Sequence, residues 1–210
     1  TGLDFTDLII APGLTDNQIN GYASIDFSGN DLSADGVIEA GKAINRDGVT
    51  TFLPTLITGS HENLIKNFGI LHEALNKDER LSGSVPGFHL EGPYISPDEG
   101  YRGCHPVQHI RKPSWEEFTL YQKAAGGKII QVTLAPELEG CTEFIRLCKL
   151  NGITVAMGHT NSSAEDIRKA VEAGVSISTH LGNGCANFIH RHNNPIWPQL
   201  ANENLTSTII

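Results

Sequence analysis

Leu150-Asn151-Gly152-Ile153-Thr154-Val155 packs a change of secondary structure into six residues. A helical run ends, a glycine follows, and a β-branched run begins. Glycine just past a helix end takes the left-handed backbone that stops the helix, and β-branched side chains favour a strand. The same junction stands at Asn45-Arg46-Asp47-Gly48-Val49-Thr50-Thr51 and at Glu172-Ala173-Gly174-Val175-Ser176-Ile177. Recurrence of this junction along one chain predicts a repeating β/α order.

The intervening helices are legible from apolar spacing. Residues 63–75 place Leu64, Ile65, Phe68, Leu71 and Leu75 on one face of a 3.6-residue period. Ser114 with Glu117, and Ser162 with Glu165, have the spacing of capping boxes, and Thr142 is in place to cap a third helix. The second box opens a helix whose Ile167, Ala170 and Val171 are expected to face a sheet. Short apolar runs at 8–11, 51–57, 84–90, 128–134, 153–157 and 175–179 read as strands, with a last one starting near Thr206. Strands alternating with helices imply a parallel sheet covered by helices. With no dinucleotide fingerprint after the first strand, the expected architecture is a TIM-like (β/α)8 barrel of the α/β class. A whole barrel takes about 250 residues, so residues 1–210 are expected to form one incomplete barrel domain, truncated at both ends.

Composition narrows the function. The chain has 24 acidic and 15 basic side chains, a net charge of −9, with 39% hydrophobic and 19% charged residues. That is globular rather than disordered composition. An acidic balance speaks against nucleic acid, whose phosphates need clustered Lys and Arg. No apolar run approaches the roughly 20 residues that span a bilayer. The four cysteines, Cys104, Cys141, Cys148 and Cys185, form no C-x-x-C pair. Reduced thiols in a cytoplasmic protein are expected. Met157 is the only methionine, so Thr1 is expected to be a processed or internal position.

Reactive groups of such barrels lie at the C-terminal ends of strands. Taken in order, those ends carry Glu91, His159 and His180. One carboxylate and two imidazoles are a common ligand set for a catalytic zinc, which keeps a fourth position for water. Water bound there has a pKa near 7, making hydroxide accessible at neutral pH.

These residues lie in stretches that resemble the N-acetylglucosamine-6-phosphate deacetylase family of the amidohydrolase superfamily. The matching stretches are PGLTDNQINGY from Pro12, GVTTFLPTLIT from Gly48, GFHLEGPYISP from Gly87, RGCH from Arg102, TLAPE from Thr133, GHT from Gly158 and THLGN from Thr179. They run through nearly the whole chain in the family's order. The resemblance implies a hydrolase removing acetate from an N-acetyl amino sugar, with Glu91, His159 and His180 on one divalent metal, expected to be zinc. The His-x-His that holds a second metal in many amidohydrolases is replaced by Gln18-Ile19-Asn20, so Gln18 and Asn20 are expected to line the pocket. His105 matches the family histidine that polarises the substrate carbonyl, and Asn183 and Gly184 match the segment that holds the sugar.

Where the family carries an Arg for the 6-phosphate, this sequence has Arg191, flanked unusually by His190 and His192. An Arg fork suits phosphate. The two histidines read equally as surface residues or as contacts to another anionic group. The family's acid/base Asp, which follows the last barrel strand, and its small β-sandwich domain are expected to lie outside this chain. Members of the family are homodimers, so a homodimer is expected of the full-length protein. Two other readings stay open: another amidohydrolase reaction such as ring opening or nucleobase deamination, and an inactive sugar-phosphate-binding homologue.

Overall fold

The computed structural model describes residues 11–210. Its main sheet has seven strands, β1 (Leu14–Ile19), β4 (Val49–Ile57), β5 (Phe88–Glu91), β6 (Ile129–Leu134), β7 (Thr154–Met157), β8 (Val175–Ser178) and β9 (Thr206–Ser207), in that spatial order. Every neighbouring pair is parallel. Consecutive strands are adjacent, and the sheet curls as an incomplete barrel. Its edge strands β1 and β9 both line a cavity of about 660 Å3, with Leu14, Gln18, Ser207 and Ile210 on its walls. A short antiparallel hairpin, β2 (Gly21–Tyr22) and β3 (Ile25–Asp26), follows β1.

The three junction glycines behave as their sequence context predicts. Gly48, Gly152 and Gly174 have φ of +94°, +72° and +135°, and each precedes a strand. Helices α1 (Ala34–Arg46), α2 (His61–Lys77), α4 (Trp115–Ala124), α5 (Cys141–Leu150) and α6 (Ala164–Ala173) cover the outside of the sheet. The apolar face of α2 buries Leu64, Phe68, Leu71 and Leu75 in a core that includes Phe52, Leu56, Phe88, Leu90 and Val132. No helix among the described residues is long and apolar enough to cross a membrane.

Several local expectations need correction. The expected strand at 8–11 falls outside the described residues except for Ala11, and β1 lies further on, at Leu14–Ile19. Its polar sequence, LTDNQI, hid it: pairing with β4 makes it a strand, not propensity. Ser84 ends a short helix, α3 (Glu79–Ser84), and the following strand starts only at Phe88. The box at the start of α6 uses Ser163 and Asp166, one residue beyond the expected pair. Ser162 is diverted to the Glu137 carboxylate at 2.6 Å. Ser114 accepts from the Glu117 amide at 3.2 Å, but the Glu117 carboxylate is taken by Arg111 and Tyr94, so only half of that box forms. Thr142 caps nothing; Gly140, at φ +86°, precedes α5 without a side-chain bond.

A short strap of charge-assisted bonds fixes the loop after β7. The Glu137 carboxylate accepts from the Thr160 hydroxyl at 2.6 Å, the Asn161 amide at 2.7 Å and the Ser162 hydroxyl. That loop carries His159.

Candidate metal centre

Glu91 closes β5 in the middle of the curled sheet, in register with Ile57 of β4 and Thr133 of β6. His159 stands two residues past the end of β7, and His180 two past the end of β8. Both have left-handed backbones, φ +50° and +30°, and Gly92 next to Glu91 has φ +76°. Such backbones are costly for residues other than glycine and gather at functional sites.

The side chains converge. Glu91 Oε1 accepts from the Gln18 amide at 2.7 Å and faces His180 Nε2 at 3.0 Å and His159 Nε2 at 3.4 Å. Glu91 Oε2 faces His105 Nε2 at 3.8 Å. The ligand atoms of Glu91, His105 and His159 all lie within 4.8 Å of one another. The His159 ring packs against both His105 and His180, with centroids 4.3 and 4.9 Å away. All four residues are buried.

Tautomers decide what such a cluster can hold. His159 Nδ1 donates to the Tyr101 carbonyl at 3.0 Å. A carbonyl only accepts, so Nδ1 keeps the ring's proton and Nε2 of the neutral ring turns a lone pair toward the Glu91 carboxylate. Two acceptors facing each other at that range need a proton or a cation between them. His180 Nε2 adds a third donor atom to the same spot, while its buried Nδ1 has no partner among the described residues. A carboxylate and imidazoles in this arrangement fit a divalent cation such as zinc.

The electrostatics agree. Burial pushes the Glu91 carboxyl up, but with a proton in the gaps to His159 and His180 the bonds from those imidazoles outweigh it and hold the group well below the usual carboxylate range. Burial, reinforced by the neighbouring His159 when that ring is protonated, lowers His105 to about 4. His105 is therefore neutral at pH 7. Its Nδ1 pairs with the Thr58 hydroxyl at 2.8 Å, which orients the opposite nitrogen toward Glu91.

The other expected site residues are dispersed around this centre. Gln18 touches Glu91 directly, whereas Asn20 is exposed and its carbonyl accepts from the Phe27 amide. Gly184 lies against the centre: a Cβ there would come within 3.0 Å of the His159 backbone nitrogen and 3.2 Å of His180 Cε1. Asn183 is exposed, and its amide donates to the His180 carbonyl at 2.8 Å. Arg191 is exposed on the loop before α7 (Ile196–Leu200), with no side-chain bond or ion pair among the described residues. Its carbonyl is pinned by Trp197 Nε1 at 2.8 Å and by Asn194. His190 and His192 flank it on the exposed surface. Sequence reasoning missed Thr58 and the Tyr101 carbonyl, because the bonds that give them a role exist only in three dimensions. It also passed over His89, an imidazole inside an apolar strand, which was visible as an anomaly.

Fold and site together define a β/α barrel protein whose strand-end rim can hold a divalent cation. No family model matches the chain. It is 36% identical to the N-acetylglucosamine-6-phosphate deacetylase of Caenorhabditis elegans over 196 residues, 90% of this chain and 46% of the relative. With the deacetylase of Bacillus subtilis it shares 34% identity over 206 residues, 97% of this chain and 51% of that one. Among solved structures, a Mycobacterium smegmatis N-acetyl-D-glucosamine-6-phosphate deacetylase variant in complex with N-acetyl-D-glucosamine-6-phosphate superposes with a TM-score of 0.83. It is 27% identical, over 94% of this chain and 50% of that one. The chain belongs to the N-acetylglucosamine-6-phosphate deacetylase family. It spans about half the length of the curated relatives it matches.

Proposed function

We propose that the chain is the cation-binding part of an amide hydrolase that removes acetate from an N-acetyl amino sugar, with N-acetylglucosamine-6-phosphate as substrate. The observation that carries this reading is the facing of His159 Nε2 and His180 Nε2 onto one oxygen of Glu91. The names of its relatives supply the substrate.

Glu91, His159 and His180 would hold one divalent ion, zinc in this reading. The ion supplies a Lewis acid and a water activated near neutral pH. With Thr58 donating to Nδ1, neutral His105 keeps a proton on Nε2. That N–H donates to the amide carbonyl oxygen as it gains negative charge, the role of an oxyanion-hole donor. Gln18 and Gly184 border the reacting centre, Asn20 and Asn183 extend the sugar site, and Arg191 takes the 6-phosphate. Proton delivery to the leaving amine falls to a group outside this chain, an Asp by family resemblance. The full-length protein in this reading is a cytoplasmic homodimer.

A second reading, a different anionic substrate on the same centre, draws on the His190-Arg191-His192 cluster, exposed and unlike the family's phosphate segment. The test is amine release by the zinc-loaded full-length parent, with N-acetylglucosamine-6-phosphate beside N-acetylglucosamine. Turnover of the phosphorylated sugar alone supports the first reading. Turnover of neither, with zinc bound, refutes the substrate and favours the second.

A further inference from the structure

Interiors of parallel β/α barrels are filled mainly by branched apolar side chains. The layer directly beneath Glu91 departs from this. Thr55 of β4, His89 of β5 and Gln131 of β6 are register partners in one row across the sheet. Thr133 stands two residues further along β6, and Thr179 follows β8. Thr55, His89 and Thr133 are fully buried, and Gln131 and Thr179 nearly so.

Gln131, His89, Thr133 and Thr179 form one connected belt, with Thr55 packed beside it. Gln131 Nε2 donates to His89 Nδ1 at 3.3 Å, so the ring's proton sits on Nε2. That N–H donates to Thr133 Oγ1 at 2.8 Å, and the Thr133 and Thr179 hydroxyls share a bond at 2.8 Å. Thr55, whose hydroxyl donates to the Leu53 carbonyl at 2.9 Å, lies 3.3 Å from His89 Nδ1. Strands β6 and β8 are not neighbours, because β7 lies between them. Thr133 and Thr179 meet only because Gly158 lacks a side chain: a Cβ there would stand 2.8 Å from Thr179 Cβ and 3.0 Å from Thr133 Cγ2.

The belt touches the chain at each of the three ligand positions. His89 lies two residues before Glu91, on the same face of β5. Gly158 precedes His159, and Thr179 precedes His180. We propose that this polar belt is the positioning frame of the cation site, with the Thr133 hydroxyl setting the spacing of Glu91, His159 and His180 and through it the affinity for the ion. This inference rests on the cation-binding role given to those three residues above.

The experiment compares Thr133→Val with Thr133→Ser in the full-length parent. Zinc affinity is read by competition with a chromogenic chelator, and thermal stability is recorded on the metal-free proteins. Valine keeps the shape and removes the hydroxyl, whereas serine keeps the hydroxyl and removes a methyl. The expected result is at least a tenfold weaker zinc affinity for Thr133→Val, the usual scale for outer partners of metal ligands, with Thr133→Ser within about threefold of wild type. Equal affinities for Thr133→Val and wild type, or equal losses for the two variants, would overturn the positioning role. Should Thr133→Val not fold, Thr179→Val removes the far end of the belt and carries the same expectation and the same refutation. Wild type that binds no zinc would instead overturn the cation reading itself.

Discussion

Gly92→Ala probes the joint between Glu91 and His105. Gly92 has φ +76°, and a Cβ added to it would lie 2.2 Å from Thr58 Oγ1 and 3.4 Å from Thr58 Cβ. The Thr58 hydroxyl must swing away, which breaks its 2.8 Å bond to His105 Nδ1. Two costs follow. A left-handed backbone at a residue with a Cβ costs about 1–2 kcal/mol. Leaving a buried hydrogen-bonding group unpaired costs about 1–3 kcal/mol. Gly92→Ala is therefore expected to destabilise the metal-free protein by about 2–5 kcal/mol. In a Thr58→Ala background the oxygen that clashes is gone and the bond is already lost, so the same substitution costs only the backbone part. The assay is urea unfolding of the four members of this double-mutant cycle at pH 7. The expected coupling energy is about 1–3 kcal/mol, the usual range for residues in contact. If Gly92→Ala costs the same in both backgrounds, the joint between Thr58 and His105 does not work as described.

Burial lowers His89 to about 4, against 6.5 for a free imidazole. Between those values the unfolded chain binds a proton that the folded chain does not, so stability is full above pH 6.5 and falls as the pH drops toward 4. Wild type should lose about 2–3 kcal/mol more than His89→Gln between pH 7 and 4.5 in metal-free urea titrations; parallel losses would refute the assignment. Burial pushes the Cys141 and Cys148 thiols up to about 12, which cuts their thiolate fraction at pH 8 roughly a thousandfold. With an aromatic disulfide reagent the exposed Cys104 should react first and these two only on unfolding, and rapid reaction of all four in native protein would contradict the packing. Arg191→Ala should raise KM for the phosphorylated sugar about 10- to 100-fold, the scale of a lost hydrogen bond to a charged group, and leave the unphosphorylated sugar unchanged. A KM change shared by both sugars would remove Arg191 from the phosphate site.

The β/α order was readable because Gly48, Gly152 and Gly174 mark junctions that depend on local backbone chemistry alone. The convergence of Glu91, His159 and His180 was readable for a related reason. Once the strands were placed, the strand-end rule picked out their rim, and few polar side chains there bind metals. What escaped depends on tertiary contacts. β1 has a polar sequence and owes its extended form to β4. Ser162 and Ser163 look alike as caps, and only the Glu137 carboxylate, reaching from the loop after β6, decides between them. His105 was legible through family resemblance, but its place beside Glu91 and its bond to Thr58 follow from the loop's path over the rim.

The same convergence supports the proposal that this rim is a cation site rather than merely a buried polar cluster. His180 and Glu91 lie 89 residues apart in the chain, yet Nε2 and Oε1 stand 3.0 Å apart. Curvature of the sheet and left-handed turns at both histidines bring them there. A fold selected for stability alone would not face His159 Nε2, whose ring already donates through Nδ1, onto a carboxylate, nor bury His180 Nδ1 with no partner among the described residues. Each of these choices costs folding free energy in the metal-free chain. A cation bound to the folded chain but not to the unfolded one offsets that cost, since its binding free energy adds to the stability of the folded state. The local strain and the nitrogen left unpaired among the described residues thus support the proposed ion site, for which the polar belt beneath them would be the frame.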